Sequence, residues 1–396
     1  MQEILGISEV YHAAQVLREV ARHPRIIGVT DLNPEAHIFL KPENLQHTGS
    51  FKLRGAYYKI SQLTEEEKKR GVIACSAGNH AQGVALGATK NGIKSLICLP
   101  AGAPISKIEA TKRLGAEVCL VNGVYDDAYA KALELRDQHG YTFVHPFDDE
   151  LVIAGQGTIG LEILEQLPDV EAVIVPIGGG GLISGVALAL KTLKPDIKIY
   201  GVQAAGAPSM EISVKEKQII RLPSVSTIAD GIAVKEPGVN TFKYCCEYVD
   251  EIASITDEEV ATAILTLIEQ HKIIAEGAGA IAVAAAMLDK FPIKGKKTVC
   301  LVSGGIIDVP ILSRVVKTGL SHVGRSVQLR VELPNKPGKL REILAIIAEH
   351  GSNIQRIKLK DSSTYGGQAE IRLETRNHEH IAEIKAALAA QGYNVM

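Results

Sequence analysis

Four short segments of this chain combine residue types that can do chemistry. In Ser50-Phe51-Lys52-Leu53-Arg54-Gly55-Ala56, Ser50 is placed to cap a helix that begins around Phe51 and carries Lys52 in its first turn. A lysine at a helix N-terminus opposes the macrodipole, which disfavours its charged form and suits a neutral amine nucleophile. The second segment, Ser76-Ala77-Gly78-Asn79-His80, follows an apolar run ending at Cys75. Ser76 and Asn79 are spaced as an N-cap and its first turn, and this is either a plain cap or a carboxylate or phosphate cradle built from free amides. The third is Gly178-Gly179-Gly180-Gly181-Leu182, where four consecutive glycines exceed what a tight turn needs. Backbone amides without side chains at a strand-to-helix turn make a phosphate cradle. The fourth, Val302-Ser303-Gly304-Gly305, places a serine at a strand end, as a turn residue or as a group facing a ligand.

These segments need a scaffold that presents loops on one side. From Val72 to about Tyr200, short apolar runs (Val72–Cys75, Ser95–Leu99, Ala116–Leu120, Ala172–Val175, Ile197–Tyr200) alternate with helical patterns such as 106–114 and 126–138. That alternation predicts an α/β fold with parallel sheets and crossover helices. Ligands of such sheets bind beyond the carboxyl ends of strands, so the loops after Cys75, Val175 and Val302 are the candidate positions.

The pattern changes near residue 324. Val327, Leu329, Val331 and Leu333 alternate with polar residues as a one-face-buried strand, and Asn335-Lys336-Pro337-Gly338 reads as a turn with Pro337 in the first turn of a helix. Leu340, Ile343, Leu344 and Ile347 recur at helical spacing, and Gly351 ends that helix. Two further strands (Ile357 and Leu359; Ala369, Ile371 and Leu373), a helix with Ile381, Ile384 and Leu388, and a short strand with Tyr393 and Val395 complete βαββαβ, the ferredoxin-like unit. The expected organisation is a catalytic domain over 1–323, containing a smaller mobile subdomain at about 48–150, and a separate domain over 324–396.

Several classes are disfavoured. With 43 basic and 45 acidic residues the chain has no basic excess for nucleic acid. The opening Met1–Leu5 lacks the layout of a secretory signal. The uncharged run Ala172–Leu190 reads as strand, turn and helix rather than a membrane span, because its glycines would weaken a continuous helix. The six scattered cysteines form no C-x-x-C and read as buried reduced thiols, which predicts a cytoplasmic protein. Gly277, Gly279 and Ala282 match G-x-G-x-x-A but follow no strand, and no Walker lysine, H-E-x-x-H or G-x-S-x-G occurs. Lone histidines such as His145 read as structural.

The four segments, in this order, resemble the fold-type II pyridoxal-phosphate enzymes, with the threonine dehydratases (threonine ammonia-lyases) and serine racemases most similar over about residues 5 to 320. The terminal unit resembles an ACT domain, with Asn335-Lys336-Pro337-Gly338-Lys339-Leu340 matching N-x-P-G-x-L. The resemblance implies two parallel-sheet subdomains, pyridoxal 5′-phosphate as cofactor, and an ammonia-lyase converting L-threonine to 2-oxobutanoate and L-serine to pyruvate. It further implies that Lys52 carries the cofactor and removes the substrate Cα proton, and that Gly178, Gly179, Gly180, Gly181 and Leu182 hold its phosphate. Asn79 would bond its 3′-oxygen, Ser303 would face the pyridine nitrogen, Phe51 would pack beside the ring, and Ser76, Ala77, Gly78, Asn79 and His80 would hold the substrate carboxylate. A serine at the pyridine nitrogen makes a weaker electron sink than a carboxylate would, which suits β-elimination.

Two departures sharpen this expectation. Serine racemases carry a second serine where this chain has Ala77, which cannot move a proton, so elimination is favoured over racemisation. Their divalent-metal site uses two acids, and the matching segment Gln203–Ser209 has none, so no metal is expected. The ACT-like unit implies a homo-oligomer, dimer or tetramer, with isoleucine or valine as effector near Asn335, Pro337, Gly338 and Leu340. The rival readings are a serine racemase, serine dehydratase or threonine synthase of the same fold, an amino-acid sensor with a dead enzyme portion, and a nucleotide-dependent enzyme.

Overall fold

A computed structural model of the chain describes residues 5–363 and 366–396, so the opening residues Met1–Ile4 of the leader argument lie outside the described residues. The chain divides into two compact units, Met1–Val309 and Pro310–Met396.

The first unit contains two sheets. The smaller is four-stranded and all parallel, in the order Glu117–Val121, Ser95–Pro100, Val72–Cys75, Thr142–Phe143. The larger has six strands, in the order Ile27–Val29, His37–Pro42, Lys297–Val302, Ala172–Pro176, Lys198–Ala204, Glu251–Ile255. Only Ile27–Val29 runs antiparallel to its neighbour. The strands that periodicity left out (Ile27–Val29, His37–Pro42, Thr142–Phe143 and Glu251–Ile255) are edge strands, short segments or mixed in polarity. Their pairing comes from neighbours rather than from local pattern.

Helices cover both sheets. Every residue of Ala172–Pro176 is buried, and Lys297–Val302 is buried except at its first residue, as expected for parallel strands covered on both faces. Helix Glu150–Gln166 is capped by Asp149, whose Oδ1 accepts from the amides of Leu151 and Val152 at 2.9 and 3.2 Å. It lies against two other helices with almost no side chain between them. A Cβ on Gly155 would sit 2.6 Å from Gly55 Cα in helix Lys52–Ser61, and one on Gly185 would sit 2.2 Å from Ile153 O. Its small residues therefore draw the lysine-bearing helix and the helix behind the glycine run, Gly181–Leu193, onto one support.

The run Ala172–Leu190 divides into a strand and a helix, and among the described residues no helix is long and apolar enough to cross a membrane. Within the segment Gln203–Ser209, Gln203 Oε1 accepts from Glu211 N at 2.8 Å and Ser209 Oγ donates to Val234 O at 2.8 Å.

In the second unit, strands Ser326–Pro334, Gly366–Glu374 and Asn353–Ser363 form an antiparallel sheet in that order, with helices Lys339–Glu349 and His378–Ala390. Leu329, Val331, Ile343, Ile347, Ile371, Leu373, Ile384 and Leu388 form its core. The closing strand is reduced to a bridge between Val331 and Val395, extended by two bonds between Arg330 and Met396. One expectation is corrected. Helix Lys339–Glu349 starts after Gly338, which at φ +87° is its cap, so Pro337 precedes the helix instead of opening it. Ile357 and Leu359 lie in strand Asn353–Ser363 as expected, 37% and 54% exposed on the edge strand of the sheet.

Candidate active site

The four segments singled out by residue type converge. The loop after Lys297–Val302 is stitched to the lysine segment: Phe51 N donates to Ser303 O at 3.1 Å, Gly305 N to Gly49 O at 2.9 Å, and Ser50 bridges to Gly304. Asn79 reaches the same loop through Glu276, whose side chain accepts from Asn79 Nδ2 at 2.5 Å and whose amide donates to Gly304 O at 3.1 Å. The glycine run joins through the segment Pro146-Phe147. Lys52 Nζ donates to Pro146 O at 2.7 Å, and Phe147 packs on Gly179 and Gly181 so closely that a Cβ at either would lie 2.4 or 2.7 Å from it.

Lys52 is the first residue of helix Lys52–Ser61. Burial pushes its amine down to about 8, with Glu276 opposing. Ser50 does not cap this helix. The capping position falls on Phe51 in helical geometry, and Ser50 Oγ is buried without a partner among the described residues. The reason is the bridge to Gly304, which commits Ser50 to the neighbouring loop. Phe51 is buried in the core of the larger sheet, and Lys52 Nζ lies 5.2 Å from its ring centre.

In the glycine run, Gly180 has φ +100°, and a Cβ there would be 2.7 Å from both Met210 and Thr241, so both conformation and space demand glycine. Thr241 Oγ1 donates to Gly179 O at 2.6 Å and holds the loop's carbonyl away from the helix start. The amides of Gly178, Gly179 and Gly180 have no acceptor among the described residues. The first-turn amides of helix Gly181–Leu193, Leu182 included, have none within the helix by construction.

Helix Asn79–Lys90 begins one residue after Gly78, which occupies the cap position expected of Ser76. Ser76 Oγ instead accepts from Gly78 N at 3.2 Å, a local turn that stops short of the helix. Nothing lies within 4 Å of where a Gly78 Cβ would be, so the loop opens onto free space. His80 is buried and its Nε2 donates to Val144 O at 2.8 Å. Burial, then Lys52, push it down to about 3. A neutral imidazole brings no positive charge to the loop Ser76–His80. Ser303 is buried, and its hydroxyl donates to Ala278 O at 3.1 Å.

Three contributors were not legible from residue type. The segment 145–148 is one: His145 Nδ1 accepts from the amides of Phe147 and Asp148 at 3.3 and 2.8 Å, and Asp148 accepts from the first three amides of helix Val239–Tyr248 at 2.9–3.2 Å. Arg54 is the second. It is 1% exposed and holds Glu43 in a two-pronged bond, both at 2.8 Å, and Glu162 at 2.6 and 3.0 Å. Glu276 is the third. Its signal was the discarded Gly277/Gly279 pair: a Cβ on Gly279 would sit 2.0 Å from Gly304 O, so these glycines let the helix and the Ser303 loop touch. The remaining candidates, Asn335, Pro337 and Gly338, with Leu340 half-buried beyond them, form an exposed turn of the second unit.

Residues 19–305 match the family model described as pyridoxal-phosphate dependent enzyme, and residues 327–392 match the ACT domain. The chain belongs to the fold-type II pyridoxal-phosphate dependent enzymes and carries an ACT domain at its C-terminal end. It is 47% identical to an L-threonine ammonia-lyase of Thermotoga maritima, over 99% of both chains. Among solved structures it is similar to the processed form of threonine deaminase isoform 2 from Solanum lycopersicum (TM-score 0.75, 38% identity, 80% of this chain and 95% of that one). It is also similar to maize serine racemase (TM-score 0.76, 34% identity, 81% and 99%).

The residues fit the cofactor. A buried amine of lowered basicity, a row of unengaged amides at a helix start, and a loop open at Gly78 are the donor set that an aldehyde-bearing aromatic phosphate requires. One consequence is measurable. Capture of the cofactor by cofactor-free protein needs the neutral amine. With Lys52 near 8, about a tenth is neutral at pH 7. The capture rate therefore rises with pH through about 8 and levels above it, whereas an ordinary lysine would still be climbing toward 10. Stopped-flow absorbance between pH 6 and 10 checks this.

Proposed function

We propose that this chain is a threonine ammonia-lyase, releasing 2-oxobutanoate and ammonia from L-threonine and pyruvate from L-serine, with an amino-acid effector at its ACT domain. The observation that carries the reading is the convergence of a lysine near 8, the glycine cradle and the open loop Ser76–His80. The 47% identity to an L-threonine ammonia-lyase along the whole chain supports it. We assign the catalytic portion to 1–323, with a smaller subdomain at about 48–150 that moves relative to the rest, and the regulatory portion to 324–396.

The cofactor, when bound, supplies an electron sink that acidifies the substrate's Cα proton. In this assignment Lys52 holds the cofactor and then, as a free amine, takes that proton as general base. Gly178 to Leu182 hold the phosphate by backbone amides, Asn79 meets the 3′-oxygen, Ser303 the pyridine nitrogen, and Phe51 flanks the ring. The amides of Ser76–His80 hold the substrate carboxylate at a helix N-terminus. Ala77 offers no proton donor or acceptor on the opposite face, so the proton is not returned there and elimination outruns racemisation.

The test is keto-acid release from L-threonine, with L-serine in parallel and chiral analysis of residual serine. 2-Oxobutanoate with no D-serine supports the assignment. Cofactor-loaded protein that makes D-serine or no keto acid would move the function to a racemase or synthase. For regulation, calorimetric titration with isoleucine and valine should show saturable binding that is lost on deleting 324–396. No heat from either removes the branched-chain effector. A homo-oligomeric assembly of these chains belongs to the same proposal, and sedimentation measures it.

A further inference from the structure

One buried acid faces the site without a part in the mechanism above. Glu276 is 3% exposed and occupies the cap position of helix Gly277–Met287 without capping it by its side chain. Its carboxyl turns instead to Asn79, accepting from Nδ2 at 2.5 Å. A Cβ on Gly304 would lie 2.3 Å from Glu276 Oε1 and 3.0 Å from Asn79 Nδ2, so the loop leaves room for this pair only by ending in glycine. An asparagine side chain has a donor end and an acceptor end of nearly equal shape, and an external acceptor decides which way it faces. Glu276 takes one N–H, and the second has no protein partner among the described residues.

We propose that Glu276 is a positioning residue for the cofactor ring, orienting Asn79 so that its remaining N–H donates to the ring's hydroxyl oxygen. This rests on the assignment of Asn79 to that oxygen. The charged groups around Glu276 are Asp230, Lys107 (paired with Asp230 at 2.9 Å and near Asp308) and Lys52. Burial, then Asp230, push Glu276 up to about 8, so at neutral pH it is a neutral acid and an amide can stand in for it.

The test compares cofactor-loaded wild type with Glu276→Gln, Glu276→Ala, Asn79→Ala and the double alanine variant, reading the absorbance maximum and the dissociation constant of pyridoxal phosphate. Glu276→Gln should keep the wild-type maximum. Glu276→Ala should shift it in the same direction as Asn79→Ala and weaken cofactor binding about tenfold, and the double variant should add little further, as for two residues acting through one bond. Gly304→Ala, which forces the pair apart from the other side, should reproduce the shift if Glu276→Ala does not fold. A wild-type maximum in Glu276→Ala or Gly304→Ala beside a shifted one in Asn79→Ala overturns the proposal, as do additive shifts. An unchanged maximum in Asn79→Ala overturns both the proposal and the assignment it rests on.

Discussion

Replacing Lys52 by alanine should reduce 2-oxobutanoate release by about four orders of magnitude, the upper range for losing a positioned general base. The physical reason is that the proposed assignment gives one amine two tasks. It sits at the start of helix Lys52–Ser61, donates to Pro146 O at 2.7 Å, and has its basicity lowered to about 8 by burial. Neither neighbouring imidazole can stand in for it: His80 is held neutral down to about 3, and burial lowers His145 as well. Purified Lys52→Ala should be folded by circular dichroism and lose its cofactor on gel filtration, because the phosphate cradle alone holds what the lysine no longer does. Lys52→Arg should behave the same way, since a guanidinium stays charged at any workable pH. Discontinuous keto-acid assays at saturating threonine measure the loss. A variant within tenfold of wild type would assign the base elsewhere.

The second large effect is expected two residues away. Arg54→Ala should destabilise the first unit by about 3–5 kcal/mol, the range for removing one partner of a buried ion pair. Arg54 and Lys41 neutralise Glu43 and Glu162, and of these four only Glu162 has a side chain more than 1% exposed, at 12%. Burial alone would lower the basicity of Arg54, but Glu43 and Glu162 outweigh it and raise it, so the guanidinium stays charged. Without it, Glu43 keeps only the side-chain amide of Gln46 at 3.2 Å among its hydrogen-bond donors, and Lys41 is the remaining buried cation beside the two acids. Arg54→Lys should recover little, because an ammonium cannot grip Glu43 and Glu162 with separate prongs. The denaturant midpoint of the first unit, followed by fluorescence, measures the change, and a shift equivalent to less than about 1 kcal/mol, the worth of an exposed pair, would show that the network is solvated. Because Arg54 lies one half-turn from Lys52, the folded fraction should also show weaker cofactor retention.

The site was legible where chemistry is local. Lys52 in a helical first turn, the glycines 178–181, the loop Ser76–His80 and Ser303 stand out because their residue types are unusual for their positions, and strand ends place them on one side of parallel sheets. The two caps were misplaced for a common reason. Ser50 and Ser76 have the right type, but the backbone of Ser50 is bridged to Gly304, leaving its hydroxyl without a partner among the described residues, and the Ser76 hydroxyl turns back on the Gly78 amide, so contacts outside the helix fix the backbone that a cap would need. The terminal βαββα order, with its closing strand reduced to the Val395 bridge, followed from periodicity alone, since a separate small core must alternate strictly to be buried.

What the sequence determined by itself was therefore the pyridoxal-phosphate family, together with a set of candidate residues and their placement in loops beside the strands. Tertiary structure decided how those residues meet. Sorting the strands into a four- and a six-stranded sheet depends on pairing between segments up to 260 residues apart, such as His37 with Lys297, which no local period encodes. The same holds for Glu276 against Asn79, for Phe147 across the glycine run, and for Arg54 between Glu43 and Glu162. Each joins groups from different elements of the chain, and burial sets their protonation and charge pairing, so neither the lysine's basicity nor the acid's neutrality exists until the chain is folded.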